Sequence, residues 1–354
     1  MKISNLWTQR IARKAVGTLG LLGVLLFGCG GGGGGSDPAT PVDSKPATVE
    51  EAMAEGVRDG LDGIFVYIDP GMAAPRKLAD GLQDRSSREA ANPDALFKIA
   101  SISKMFVAVA ATQMVVDGSL SLDDSVSDWL PDIAPRIENA DAITVRLLLL
   151  HRSGVPDFDS QAGFSWQNSH TDIDKTLDYA LDLPADFSPG LRYEYSNTNY
   201  LLLGKIMDAT LGFSHRQFIQ DRILTPLEMT DTYALLSEVN PDILARGYWD
   251  NVPTASRDYV IPGGSMISTT RDIAVFIRAL ADGELLDSEE QALYRSLFSG
   301  FGHSGWLPGY QSRAGYYADI DTVLIQFVST TGGSSESVAG RVHSDILSVL
   351  RENR

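Results

Sequence analysis

Ser101 and Lys104 stand three residues apart in the stretch FKIASISKMF, with Ile102, Met105 and Phe106 around them. A serine hydroxyl is a weak nucleophile at neutral pH until a neighbouring base takes its proton. On a helix, residues three apart share a face, so Lys104 is near enough to be that base. It would have to fall about 3 units from ~10.4 to be neutral near pH 7, and burial beside Met105 and Phe106 pushes that way. The free N–H groups and positive dipole end of a helix start favour negative charge on a substrate oxygen. A Ser-x-x-Lys pair arises about once by chance in a chain this long, but no other lysine here has a serine three residues upstream.

Two further groupings have matching chemistry. In YEYSNTNY, Tyr195 offers a phenol that can exchange protons and Asn197 an amide that can hold a substrate carbonyl. In FGHSGWLPGY, His303, Ser304 and Gly305 open a strand, and the missing side chain at Gly305 leaves room for a substrate backbone. Each is weak alone. Taken in order, Ser-x-x-Lys, Tyr-x-Asn and His-Ser-Gly resemble the three motifs of the serine β-lactamase and penicillin-binding protein family. The likeness is greatest to class C β-lactamases, D-alanyl-D-alanine carboxypeptidases with histidine in the third motif, and related esterases. It extends from about Gly63 to the C-terminal helix and includes LLLLHRSGVPDF and GGSMISTTRDIAVF.

The resemblance implies a role for each matching residue. Ser101 is similar to the acylated nucleophile, Lys104 to its proton acceptor, and Tyr195 to the second acid/base, which protonates the leaving group and later activates water. Asn197 corresponds to the residue holding the substrate amide, and the backbone N–H groups of Ser101 and Trp306 to the oxyanion hole. His303 replaces the usual lysine of the third motif. Histidine is mostly neutral at pH 7, so weaker binding of carboxylate-bearing β-lactams is expected, and a carboxypeptidase or esterase activity ranks above a β-lactamase one; the altered third motif also leaves open a non-catalytic binding protein that retains the fold. Arg313 is a candidate for the missing cation, although a surface position suits it better. His151 and Asp157 invite a Ser-His-Asp triad, but the resemblance makes the HRSG stretch a framework element that braces the helices.

The elements that must position these groups read as an α/β fold. TVEEAMAEGV has Thr48 and Glu51 at capping-box spacing and leads into GIFVYID, a strand. Residues 97–116 read as one apolar helix. The middle of the chain is helical pattern broken by proline and glycine. TTRDIAVFIRALADG is an amphipathic helix ending at Gly283, GWLPGYQSRAGYYAD and DTVLIQFVST are neighbouring strands, and the chain closes on a helix with Val338, Val342, Ile346, Val349 and Leu350 on one face. The expected architecture is the β-lactamase/transpeptidase-like one. An antiparallel sheet built from both chain ends (about 47–100 and 260–354) is flanked by helices, with a mainly helical lobe over about 101–259.

Four positive residues precede an apolar run from Ala15 to Phe27, an export signal over 1–28. The chain's one cysteine, Cys29, ends LLFGC, which resembles the lipobox of bacterial lipoproteins. Lipidation at Cys29, a flexible tether over 29–46, a hydrolase domain over 47–354 and a periplasmic or cell-surface membrane anchorage are therefore expected. A single cysteine allows no internal disulfide. The net charge of −17 repels phosphate backbones and argues against a nucleic-acid partner. No metal-ligand spacing or phosphate-binding glycine loop is evident, so no metal or cofactor is expected, and the partner is a small-molecule or peptide substrate. Sequence leaves the oligomeric state open.

Overall fold

The computed structural model describes residues 45–353. The export signal, Cys29 and most of the tether lie outside the described residues.

Thr48 caps the first helix, α1 (Val49–Arg58), its hydroxyl accepting the Glu51 N–H at 3.1 Å. The chain then enters β1 (Gly63–Asp69), β2 (Arg76–Asp84) and the short β3 (Glu89–Ala90). Three more strands come from the other end of the chain: β4 (Gly302–Leu307), β5 (Tyr310–Tyr317) and β6 (Thr322–Val328). The six form one sheet in the order β3-β2-β1-β6-β5-β4, antiparallel at every pairing. The junction of the two halves is β1 on β6, where Phe65 faces Phe327 and Val66 faces Gln326. The sheet is assembled from both ends of the chain, as the sequence pattern implied.

Both faces of β1 are buried, and its alternation sorts residues between two cores. Ile64, Val66 and Ile68 pack with Met53 of α1 and with Val342 and Ile346 of the closing helix α5 (Ser335–Glu352). Phe65 and Tyr67 point the other way, into a larger core with Phe97, Phe106 and Phe276. That second core is organised on α2 (Ser103–Val116), α3 (Thr198–Leu211) and α4 (Thr270–Asp282). α2 is buried on nearly all sides, so it carries apolar residues all round rather than a stripe. Its Phe106 stacks on Phe276 of α4 at 4.0 Å between ring centroids. α4 ends at Gly283, whose φ of +78° gives the left-handed cap that glycine adopts without strain.

Residues 97–116 depart from the expected single helix. Phe97–Lys98 is extended and pairs with Ile267–Ser268. A 3₁₀ turn over Ala100–Ile102 follows, and only then does α2 begin. The reason is Ala100, which takes a positive φ of 51° and so breaks any continuous helix.

Candidate active site

Ser101 sits in that 3₁₀ turn, at the junction of sheet and helix. A left-handed alanine costs about 1–2 kcal/mol, and hydrogen bonds pin the turn in place. Ser103 Oγ donates to Ala100 O at 2.7 Å and accepts the Met266 N–H at 3.2 Å, while Ser312 Oγ of β5 donates to Ile99 O at 2.7 Å. Gly305 of β4 lies against the same turn. A Cβ there would fall 2.5 Å from Ile99 O and 2.9 Å from Ala100 Cβ. The space expected for a substrate backbone at Gly305 is thus occupied by the protein's own nucleophile turn. The glycine serves to bring β4 alongside Ser101.

Lys104 is 2% exposed, and its amine has three acceptors around it. Nζ donates to Ser101 Oγ at 3.2 Å, to Asn197 Oδ1 at 2.9 Å and to Gly263 O at 3.0 Å. Burial draws its pKa down to about 7, against the opposing pull of Asp157 and Asp159. The Gly263 carbonyl reaches Nζ because two glycines admit it. Gly204 of α3 lets Pro262 approach to 2.6 Å of where a Cβ would be, and Gly263 itself has φ +82° with Lys104 Cγ only 2.7 Å from its own Cβ position.

Tyr195 OH donates to the same Ser101 Oγ at 3.0 Å. Burial pushes this phenol well above its ordinary value, so at neutral pH it is a proton donor and not a phenolate. The phenol and the amine therefore meet on the one serine oxygen. The imidazole of His151 stacks on the Tyr195 ring at 4.2 Å, and its Nδ1 accepts from Ser196 N at 3.3 Å and Asn199 Nδ2 at 3.2 Å. Two donors on Nδ1 put the ring proton on Nε2. With Nδ1 engaged this way, and with Asp157 Oδ1 accepting the Asn197 N–H at 2.9 Å, these residues form a brace for the Tyr195–Asn197 segment and not a Ser-His-Asp triad.

Asn197 starts α3 with both ends of its amide in use. Oδ1 faces Lys104, and Nδ2 donates to Asp157 Oδ2 at 3.4 Å and Asp159 Oδ2 at 3.3 Å. In the third motif, half-buried His303 has Nδ1 2.5 Å from Ser304 O. Loss of water, then the charge of Lys104, hold its pKa below the ordinary histidine range, so the position carries no cation at pH 7. Ser304 is exposed on β4. Leu307 and Tyr310 close the two-residue turn as a facing pair, and Trp306 faces Gln311. By the alternation of an antiparallel ladder, the Trp306 N–H then points off the open edge of the sheet. The Trp306 side chain donates to Glu336 at 3.0 Å, and its ring lies 6.4 Å from that of the half-buried Trp166 and 6.1 Å from that of Trp249.

Arg313 does not supply a cation here. It alternates with Ser312 along β5, so when Ser312 points at the nucleophile turn Arg313 points to the opposite face, 3.3 Å from the Cβ position of Gly340 on α5. It is half-buried beneath that helix, which also overturns the surface position expected for it. The sequence reading missed Asp159, the Gly263 carbonyl and the strained Ala100; the Gly-Gly pair before the Met266 segment was the only available sign of the second. Among the described residues, no group of three or more His, Cys, Asp or Glu is arranged to hold a metal ion.

The profile of the Beta-lactamase family matches residues 48–299. Penicillin-binding protein 4 of Amycolatopsis lactamdurans is 28% identical over 334 residues, covering 81% of this chain and 84% of that protein. Penicillin-binding protein 4* of Bacillus subtilis is 27% identical over 291 residues, 69% of this chain; the chain spans 63% of that protein's length. Among solved structures, D-amino acid amidase from Ochrobactrum anthropi SV3, crystallised with L-phenylalanine amide, superimposes with a TM-score of 0.77 at 25% identity, covering 86% of this chain and 98% of that one. With the fold, the three motifs and this match in agreement, the chain belongs to the β-lactamase family and is one of its serine hydrolases.

Proposed function

We propose that Ser101 is the nucleophile of an acyl-enzyme mechanism acting on a peptide, amide or ester bond, with D-alanyl-D-alanine carboxypeptidase-like or esterase-like activity ahead of β-lactamase activity. One observation carries this reading: Lys104 Nζ and Tyr195 OH converge on a single oxygen, Ser101 Oγ, at 3.2 and 3.0 Å. Neutral Lys104 takes the hydroxyl proton as Oγ attacks the substrate carbonyl. The developing oxyanion is held by the N–H groups of Ser101 and Trp306. Tyr195 gives its proton to the leaving group and is left as a phenolate beside the Lys104 ammonium. In the second half, Tyr195 takes a proton from the attacking water, and Lys104 returns its own to Ser101 Oγ as the acyl group departs. Both groups end as they began.

The neutral imidazole of His303 supports the ranking of substrates, since a fixed cation for a β-lactam carboxylate is missing from that position. The likeness to an amidase supports including amides. Mass spectrometry of the protein after mixing with benzylpenicillin, an acylated D-Ala-D-Ala peptide and a short-chain ester tests the proposal. A Ser101 adduct or turnover with the peptide or ester is expected, and Ser101→Ala should abolish it. Unchanged hydrolysis in Ser101→Ala contradicts the assignment.

The leader and Cys29 support a second part of the reading, an exported lipoprotein held at a membrane. Incorporation of labelled palmitate that disappears in Cys29→Ala is the expected result, and equal labelling of both forms would overturn it.

A further inference from the structure

We propose that Asp157 and Asp159 are positioning residues for acylation: they grip the far end of the Asn197 amide, aim its oxygen at Lys104, and through their charge govern how readily Lys104 gives up a proton. This rests on reading Ser101 and Lys104 as the acylating pair.

An amide has an acceptor end and a donor end. In Asn197 the donor end faces two carboxylates, at 3.4 Å from Asp157 Oδ2 and 3.3 Å from Asp159 Oδ2. Rotating the amide by half a turn would set its oxygen against those carboxylates and its NH₂ group against the Lys104 ammonium, a repulsive contact at both ends. The carboxylates thus fix which atom Lys104 meets, and Oδ1 at 2.9 Å is the result. They are themselves held firmly. The 3₁₀ turn over Phe158–Ser160 is anchored by the fully buried Phe158, whose N–H donates to Thr198 Oγ1 at 3.0 Å, and Asp157 Oδ1 also takes the Asn197 N–H at 2.9 Å.

The second arm of the proposal is electrostatic. Lys104 is faced by Asp157 and Asp159 from this turn, by the rings of Tyr195 and Tyr200 at 5.1 and 5.3 Å, and by His151 and His303, both held neutral at pH 7 in part by Lys104 itself. Asp157 is faced by Asp159, Lys104 and Tyr195. Among the described residues, the negative charges that pull on Lys104 are the two carboxylates. Burial, then Asp159, push the Asp157 carboxyl up from its ordinary range, so it and its neighbours titrate as a linked set. A carboxylate favours the ammonium form, and removing it should let Lys104 lose its proton at lower pH.

The experiment is the pH dependence of kcat/KM with p-nitrophenyl acetate for the wild type, Asp157→Asn, Asp159→Asn and Asp157→Ala. Asparagine keeps an oxygen for the Asn197 N–H and removes the charge. The acid limb of both asparagine variants should move down by about half to one pH unit. Asp157→Ala, which also releases Asn197, should lower kcat about tenfold with a smaller effect on KM. The same comparison by ¹³Cε lysine NMR in a Ser101→Ala background reads the Lys104 titration without catalysis. If no Ser101-dependent turnover exists, the acylation reading fails while the titration still decides this one. A Lys104 midpoint unmoved in a folded asparagine variant overturns the proposal. Should Asp157→Asn fail to fold, Asp159→Asn, whose carboxylate is half-buried, carries the test alone.

Discussion

Lys104 and Tyr195 divide the proton chemistry because burial acts on them in opposite senses. Loss of water disfavours the ammonium, bringing Lys104 to about 7, and disfavours the phenolate, keeping Tyr195 protonated. Removing the phenol alone in Tyr195→Phe should therefore spare the base and lose the acid, cutting kcat by about 10²–10⁴. Steady-state kinetics with an ester and with an amide check this, and the amide, having the poorer leaving group, should suffer more. The same burial makes a stability prediction. The folded pKa of Lys104 lies below its unfolded value of 10.5, so between about 7 and 10.5 the unfolded chain binds more protons and stability rises with pH. Urea unfolding at pH 7 and pH 9 should show a gain of up to about 2 kcal/mol from this group, missing in Lys104→Met. An equal gain in that variant would show that Lys104 is not the source.

At the scale of elements, glycine places backbone where side chains would interfere. Gly263 must hold a positive φ and leave room for Lys104 Cγ, and Gly305 must let β4 lie on the nucleophile turn. Gly263→Ala should displace the Lys104 amine and lower kcat about tenfold to a hundredfold, with Ser101 still present and the fold retained by circular dichroism. Wild-type kcat in that variant would contradict the role given to the Gly263 carbonyl. These placements explain what the sequence could and could not convey. Ser101, Lys104, Tyr195, Asn197 and His303 were legible because each motif is local. The Gly263 contact was not, because it joins positions 159 residues apart. The helix start was misread because alanine has no turn signal, and Ala100 adopts its left-handed φ only under tertiary pinning. Arg313 was misassigned because its face depends on the parity of β5, which only the pairing register fixes.

Over the whole molecule, the site depends on a sheet that neither end of the chain can complete alone. β1 contributes one face to each core, and α5 covers the face made by Ile64, Val66, Ile68, Leu324 and Val328. Ile346→Ala, at a fully buried position on α5, should cost about 2–5 kcal/mol, measured by urea unfolding, although it lies on the face away from Ser101. A net charge of −17 gives the protein a long-range field that repels anions. Accordingly kcat/KM for a carboxylate-bearing substrate should rise as salt is added, while that for a neutral ester stays flat. Parallel responses would show that the field does not govern encounter.

The central claim is that an uncharged Lys104 removes the proton of Ser101. Rapid-mixing measurement of the acylation burst with a p-nitrophenyl ester between pH 5 and 9, with the adduct mapped by mass spectrometry, tests it most directly. The account predicts a burst rate that climbs as pH passes through about 7, an adduct on Ser101, and no burst at any pH in Lys104→Arg, whose side chain stays charged. A burst of wild-type rate in Lys104→Arg, or an adduct on another residue, would contradict it.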